Sequence, residues 1–114
     1  MAYDQALAER LRDIFHTIGP VREIRMFGGV AFMFHGHMCV CVRDEEIYVR
    51  LGQDGVAAAV ASGEAQTFRP TRKAVAIGLA TVPDAASLDD DDLEAWVARA
   101  AAFVRTLPPK ALDE

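Results

Sequence analysis

The chain has 114 residues, with 12 Lys and Arg against 17 Asp and Glu for a formal charge of −5, and 52% apolar residues that include 20 alanines. This composition fits one ordinary domain over residues 1–114 and excludes a disordered chain. It lacks an apolar run of roughly 18 residues for a membrane span, the basic-then-apolar start of a secretory leader, and the basic stripe of a direct nucleic-acid binder, so a cytoplasmic protein is expected.

Residues 4–18 predict an amphipathic helix: Leu7, Leu11, Ile14, Phe15 and Ile18 recur at helical spacing, Asp4 stands at the N-cap, and Gly19-Pro20 ends it. Four strand-like segments follow at 21–26, 30–34, 38–42 and 47–51, separated by Gly28-Gly29, His35-Gly36 and Asp44-Glu45. An alanine-rich helix over 54–62 closes at Ser62-Gly63, and strands are predicted at 66–69 and 74–81. The last helix carries the stripe Leu93, Trp96, Val97, Ala100, Val104 and Leu107, stopped by Pro108-Pro109. Asp89, Asp90, Asp91 and Asp92 precede that stripe, where acidic groups cap the first turn and complement the helix dipole. The order predicts a two-layer α+β domain: an antiparallel sheet of 5–6 strands, helices at both ends and a short helix between.

Treating His35-Gly36 and Asp44-Glu45 as two-residue hairpin loops predicts a register. Phe32, Cys39 and Arg50 then form one row, and Val30, Cys41 and Tyr48 another on the same face. Ala31, Met33, Met38, Val40, Val42, Ile47, Val49 and Leu51 fall on the opposite face, beneath the long helices. The first face, Val30, Phe32, Phe34, Cys39, Cys41, Tyr48 and Arg50, is too apolar for simple exposure and is expected to be an interaction surface, most simply of a homodimer. The alternative is that the middle helix covers it.

His35, His37, Cys39 and Cys41 are the only cluster resembling metal ligands. In a strand His37, Cys39 and Cys41 share a face, but the outer two stand about 13 Å apart and no second ligand knuckle exists. The thiols are expected to be reduced, since same-face neighbours in a strand bridge poorly. Gly28-Gly29 lies between strands and lacks a following helix, so it predicts a bend or bulge, not a phosphate loop. No constellation defines an enzyme, and no cofactor or catalytic residue is expected.

Met26-Phe27-Gly28-Gly29-Val30, Phe32-Met33-Phe34-His35-Gly36-His37-Met38, Ile47-Tyr48-Val49-Arg50, Asp91-Asp92-Leu93-Glu94-Ala95-Trp96-Val97 and Leu107-Pro108-Pro109-Lys110 together resemble the N-terminal domain of the TfoX/Sxy family. The resemblance covers about residues 4–110. It implies an antiparallel sheet with flanking helices, similar to secretion chaperones, and a non-enzymatic protein-interaction module. Members of that family regulate competence genes by helping a transcription activator, so the implied partners are an activator or RNA polymerase. The alternative is a metal- or redox-sensing domain using His37, Cys39 and Cys41.

Overall fold

The computed structural model describes residues 3–68 and 78–110. Helix α1 (Gln5–Ile18) starts where the Asp4 carboxylate accepts from the Leu7 N–H at 2.9 Å, and it buries Leu7, Ala8, Leu11 and Phe15. Strands β1 (Val21–Met26), β2 (Gly29–Phe34), β3 (His37–Arg43) and β4 (Glu46–Arg50) form a meander. Helix α2 (Gly52–Ala61) leads to the short β5 (Gln66–Thr67), then β6 (Leu79–Val82), a 3₁₀ turn (Ala85–Ser87) and helix α3 (Asp90–Arg105). The α+β fold is the one expected. Of the strand predicted over 74–81, residues 74–77 lie outside the described residues.

All six strands join one antiparallel sheet in the order β1-β2-β3-β4-β6-β5. The first two turns are left-handed at both central residues, Phe27 (φ 56°) with Gly28 (φ 77°) and His35 (φ 53°) with Gly36 (φ 82°). That geometry matches the twist of a tight hairpin. The first loop is therefore Phe27-Gly28, and Gly29 already pairs with Met26 as the first residue of β2.

The register differs from the expected one at a single place. Near the turn, Phe34 faces His37 and Met33 faces Met38, as counting from the loop predicts. Past Met33 the pairing slips by one, so that Phe32 faces Val40, Ala31 faces Cys41 and Val30 faces Val42. Cys39 is the extra residue of a β-bulge. A one-residue slip exchanges the faces of everything beyond it. Val30, Phe32 and Phe34 consequently join Val40, Val42, Ile47 and Val49 in the core under the helices, and Ala31, Met33 and Met38 move to the outer face. The expected outer row of Val30, Phe32, Phe34 and Cys39 does not form.

The helix-side core is built on aromatic contacts. Phe15 stacks on Phe32 with ring centroids 5.5 Å apart and meets Phe34 at 6.3 Å. From α3, Leu93, Val97, Ala100, Ala101 and Val104 complete it, and α2 contributes Val56 and Ala59. Helix α2 thus covers the same face as α1 and α3, and not the outer one.

Polar ties hold the helices in place. The Arg10 guanidinium reaches Asp90 Oδ1 at 2.9 Å and the Leu88 carbonyl at 2.6 Å, joining α1 to the start of α3. Asp89 caps α3 by accepting from the Asp92 N–H at 2.8 Å, so the acidic run serves the helix start as expected. Arg105 donates to the Ile18 carbonyl at 3.2 Å and lies over Phe34 at 5.3 Å. At the end of β4 the Leu51 and Gly52 N–H groups both donate to the Gly78 carbonyl, at 2.8 and 3.2 Å. A Cβ on Gly78 would stand 2.6 Å from the Gly52 Cα, and both residues have positive φ, so each must be glycine.

Because Phe32 is fully buried against Phe15, Phe32→Ala is expected to cost about 3–5 kcal/mol of unfolding free energy in urea denaturation. Phe32→Asp is expected to leave no cooperative transition, not a folded monomer. A native-like midpoint for either variant would contradict the bulged register.

Candidate functional site

Strand alternation and the bulge place Ala31, Met33, Met38, Cys41, Tyr48 and Leu79 together on the sheet face away from the helices. Phe68, directly after β5, stands over them with its ring 4.5 Å from that of Tyr48 in an edge-on contact. Phe27 closes the group from the β1–β2 turn, 5.3 Å from Phe68 and 6.1 Å from Tyr48. Each edge-to-face pair contributes about 0.5–1.5 kcal/mol beyond burial. The two pairs Phe27 makes are together comparable to the roughly 1–3 kcal/mol of holding a non-glycine residue at positive φ. Phe27 is nonetheless 37% exposed, one of two large apolar side chains among the described residues that reach solvent to this degree. Ile24 and Met26 on β1 lie half-buried beside it.

The rim is polar. The Tyr48 side chain is buried, and its hydroxyl donates to Glu46 Oε2 at 2.9 Å and accepts from Arg43 Nη1 at 3.5 Å. Burial is the main cause of a raised Tyr48 pKa, the Arg43 hydrogen bond opposes it, and Glu46 adds to it. Arg50 answers a backbone need created by the bulge. The β3–β4 ladder stops at Val40–Val49, and Arg50 Nε donates at 2.6 Å to the Met38 carbonyl just beyond that end. Burial lowers the Arg50 pKa.

Next to the aromatic group runs a groove of about 280 Å³, lined among the described residues by Met26, Phe27, Met33, Met38 and Leu79, with Arg50, His37 and Lys110 around them. Its lower end is closed by the chain after α3. The Lys110 N–H donates to the His35 carbonyl at 2.8 Å, and His37 Nε2 donates to the Pro108 carbonyl at 2.8 Å. A larger cleft of about 450 Å³ lies between the end of α1 and β1. Its two charged groups, Arg12 and Glu23, are paired with each other at 2.6 and 2.9 Å.

Of the residues singled out in the sequence, Cys41, Tyr48 and Arg50 stand on the outer face as expected, and Val30, Phe32 and Phe34 do not. His37, Cys39 and Cys41 are not brought together. The bulge turns Cys39 into the helix-side core, Cys41 belongs to the outer cluster, and the His37 ring is held by the terminal segment. Among the described residues no three His, Cys, Asp or Glu side chains are placed to hold a metal ion. Both thiols are fully buried, and burial pushes each up to about 12, against weaker opposition from Arg50 and Arg105 at Cys39 and from Arg43 at Cys41. A thiol in that state stays protonated at neutral pH, which disfavours nucleophilic attack. The residues that sequence reasoning missed are Phe27, Met33, Met38 and Phe68. For Phe27 a signal existed, since a Phe-Gly loop between two strands places the aromatic ring at the tip of a two-residue turn.

The thiols also set an alkaline limit. Unfolded cysteines ionise near pH 9, so between about pH 9 and 12 the unfolded chain binds fewer protons than the folded one. Stability should therefore fall as pH rises through this window, at up to about 1.4 kcal/mol per pH unit for each thiol. Urea midpoints at pH 8 and 10.5 are expected to diverge more for the native chain than for Cys39→Ala/Cys41→Ala. A thiol reagent at pH 8 should modify neither cysteine before unfolding.

A family model, the TfoX N-terminal domain, matches residues 13–104, from within α1 to the last turn of α3. No curated protein and no solved structure matches the chain. The match spans most of the 114 residues, and the chain belongs to the TfoX N-terminal domain family.

Proposed function

We propose that this TfoX N-terminal domain is a non-enzymatic protein-interaction module of a competence-type regulator, working in the cytoplasm through a protein partner and not by contacting DNA. The partner class is a transcription activator or RNA polymerase. The observation that carries this reading is the outer face of the sheet, where exposed Phe27 and half-buried Ile24 and Met26 border a methionine-lined groove. Apolar side chains gathered at an open groove favour burial by a partner, and methionines adapt to varied partner shapes. Within the acidic run, Asp89 caps the start of α3 and Asp90 pairs with Arg10. Self-association through the same face is the simplest competing use of it.

Phe27→Asp removes the exposed ring at a position whose left-handed backbone aspartate tolerates better than phenylalanine, so the fold should persist. Affinity capture from host lysate with quantitative mass spectrometry is expected to recover an activator or a polymerase subunit with the native chain and to lose it with Phe27→Asp. Sedimentation velocity on the same two proteins separates the uses. A dimer that Phe27→Asp dissociates, without any captured regulator, would replace this reading with self-association. Capture indifferent to Phe27→Asp would remove the outer face from it.

A further inference from the structure

We propose that the outer edge of β1 pairs antiparallel with β1 of a second copy, centred on Ile24, so that two copies share one continuous sheet. The inference does not depend on the docking reading of the outer face.

The two edges of the sheet differ. At one side stands β5, which with two residues offers little backbone to a neighbour. At the other stands β1, with six residues, no proline and an unbroken register against β2. The two-residue Phe27-Gly28 loop makes Met26 and Gly29 the hydrogen-bonded pair that closes this hairpin. Alternation then turns the N–H and C=O groups of Arg22 and Ile24 towards β2, and those of Val21, Glu23 and Arg25 outward. Among the described residues, no strand lies beyond β1 and no backbone group bonds these outward ones. Such a row is a template for another strand.

Charge selects the strand that fits. A two-fold contact must set outward-directed residues opposite one another. Centres on Arg22, Glu23 or Arg25 each oppose a charged residue with its own copy, which is destabilising. A centre on Ile24 instead opposes Glu23 with Arg25 of the other copy, and does so twice. These two positions carry outward N–H and C=O groups, so each pairing also exchanges two backbone hydrogen bonds. Glu23 is already held by Arg12 at 2.6 and 2.9 Å, and a carboxylate can accept from a second guanidinium as well. The Arg25 side chain is exposed. Ile24 lies on the opposite face, half-buried beside Met26. Against its copy it forms a non-hydrogen-bonded pair, the closer of the two kinds, and joins the two outer clusters across the axis.

Sedimentation velocity over a concentration series tests this on the native chain, Arg25→Glu, Glu23→Arg and an equimolar mixture of the two variants. The native chain is expected to dimerise. Each variant alone opposes like charges at both pairings and should associate roughly tenfold more weakly or worse. In the mixture Glu meets Arg at both pairings, so a heterodimer should restore the dimer mass. Both side chains are exposed, and Glu23→Arg gives up only a surface ion pair, so native-like urea midpoints are expected for both variants. A native chain that stays monomeric, an Arg25→Glu dimer as tight as the native one, or a mixture that stays monomeric would overturn the proposal. A dimer indifferent to Arg25→Glu and dissociated by Phe27→Asp would overturn it in favour of a contact on the outer face.

Discussion

The extra residue at Cys39 decides which half of the meander lies under the helices. Without it, Val30, Phe32 and Phe34 would face away from α1 and α3, and Phe15 would have no aromatic partner to stack on. With it, the three large β2 side chains join Val40, Val42, Ile47 and Val49 on one face, and the methionines nearest the turn go to the other. The bulge also ends the β3–β4 ladder at Val40 and leaves the Met38 carbonyl to Arg50. One inserted residue therefore fixes the helix-side core, the outer cluster and the position of the buried guanidinium together.

The elements themselves were legible because their signals are local. Asp4 and Asp89 cap the helices they precede, Pro108 follows α3, and the boundaries of β1 to β4 agree with the expected ones to within a residue, whereas Gly78, expected inside a strand, is a turn residue ahead of β6. The pairing of Cys41 with Tyr48 also follows from the short loop after β3. The slip at Cys39 was not legible. Cysteine carries no bulge signature, and Met, Phe, Val and Ala occupy both candidate faces, so hydrophobic pattern could not choose between registers. On a face with alternating polar residues the same slip would have shown at once. The candidate site suffered accordingly: Tyr48, Cys41 and Arg50 stayed in place because they lie beyond the slip, and their expected neighbours were exchanged for Met33 and Met38.

The two faces obey different physics. The helix-side core is closed by large aromatic and branched residues, and the polar ties at Arg10, Arg12 and Arg105 hold α1 against its neighbours. The outer cluster is smaller, built on flexible methionines and edge-on rings, and bordered by charges. Its thiol is masked by burial, and a groove lined by methionines runs beside it.

The contact between Gly52 and Gly78 carries a kinetic consequence. Two backbones separated by more than twenty residues meet there with no side chain between them, and two N–H groups share one carbonyl. Bringing these points together costs roughly 3 kcal/mol of chain entropy, and little is returned until β6 has aligned along β4. Pairing of β6 should therefore be a late step, after the β1–β4 hairpins, whose two-residue loops close cheaply. A substitution at either glycine would show itself chiefly as faster unfolding, with the early folding rate preserved.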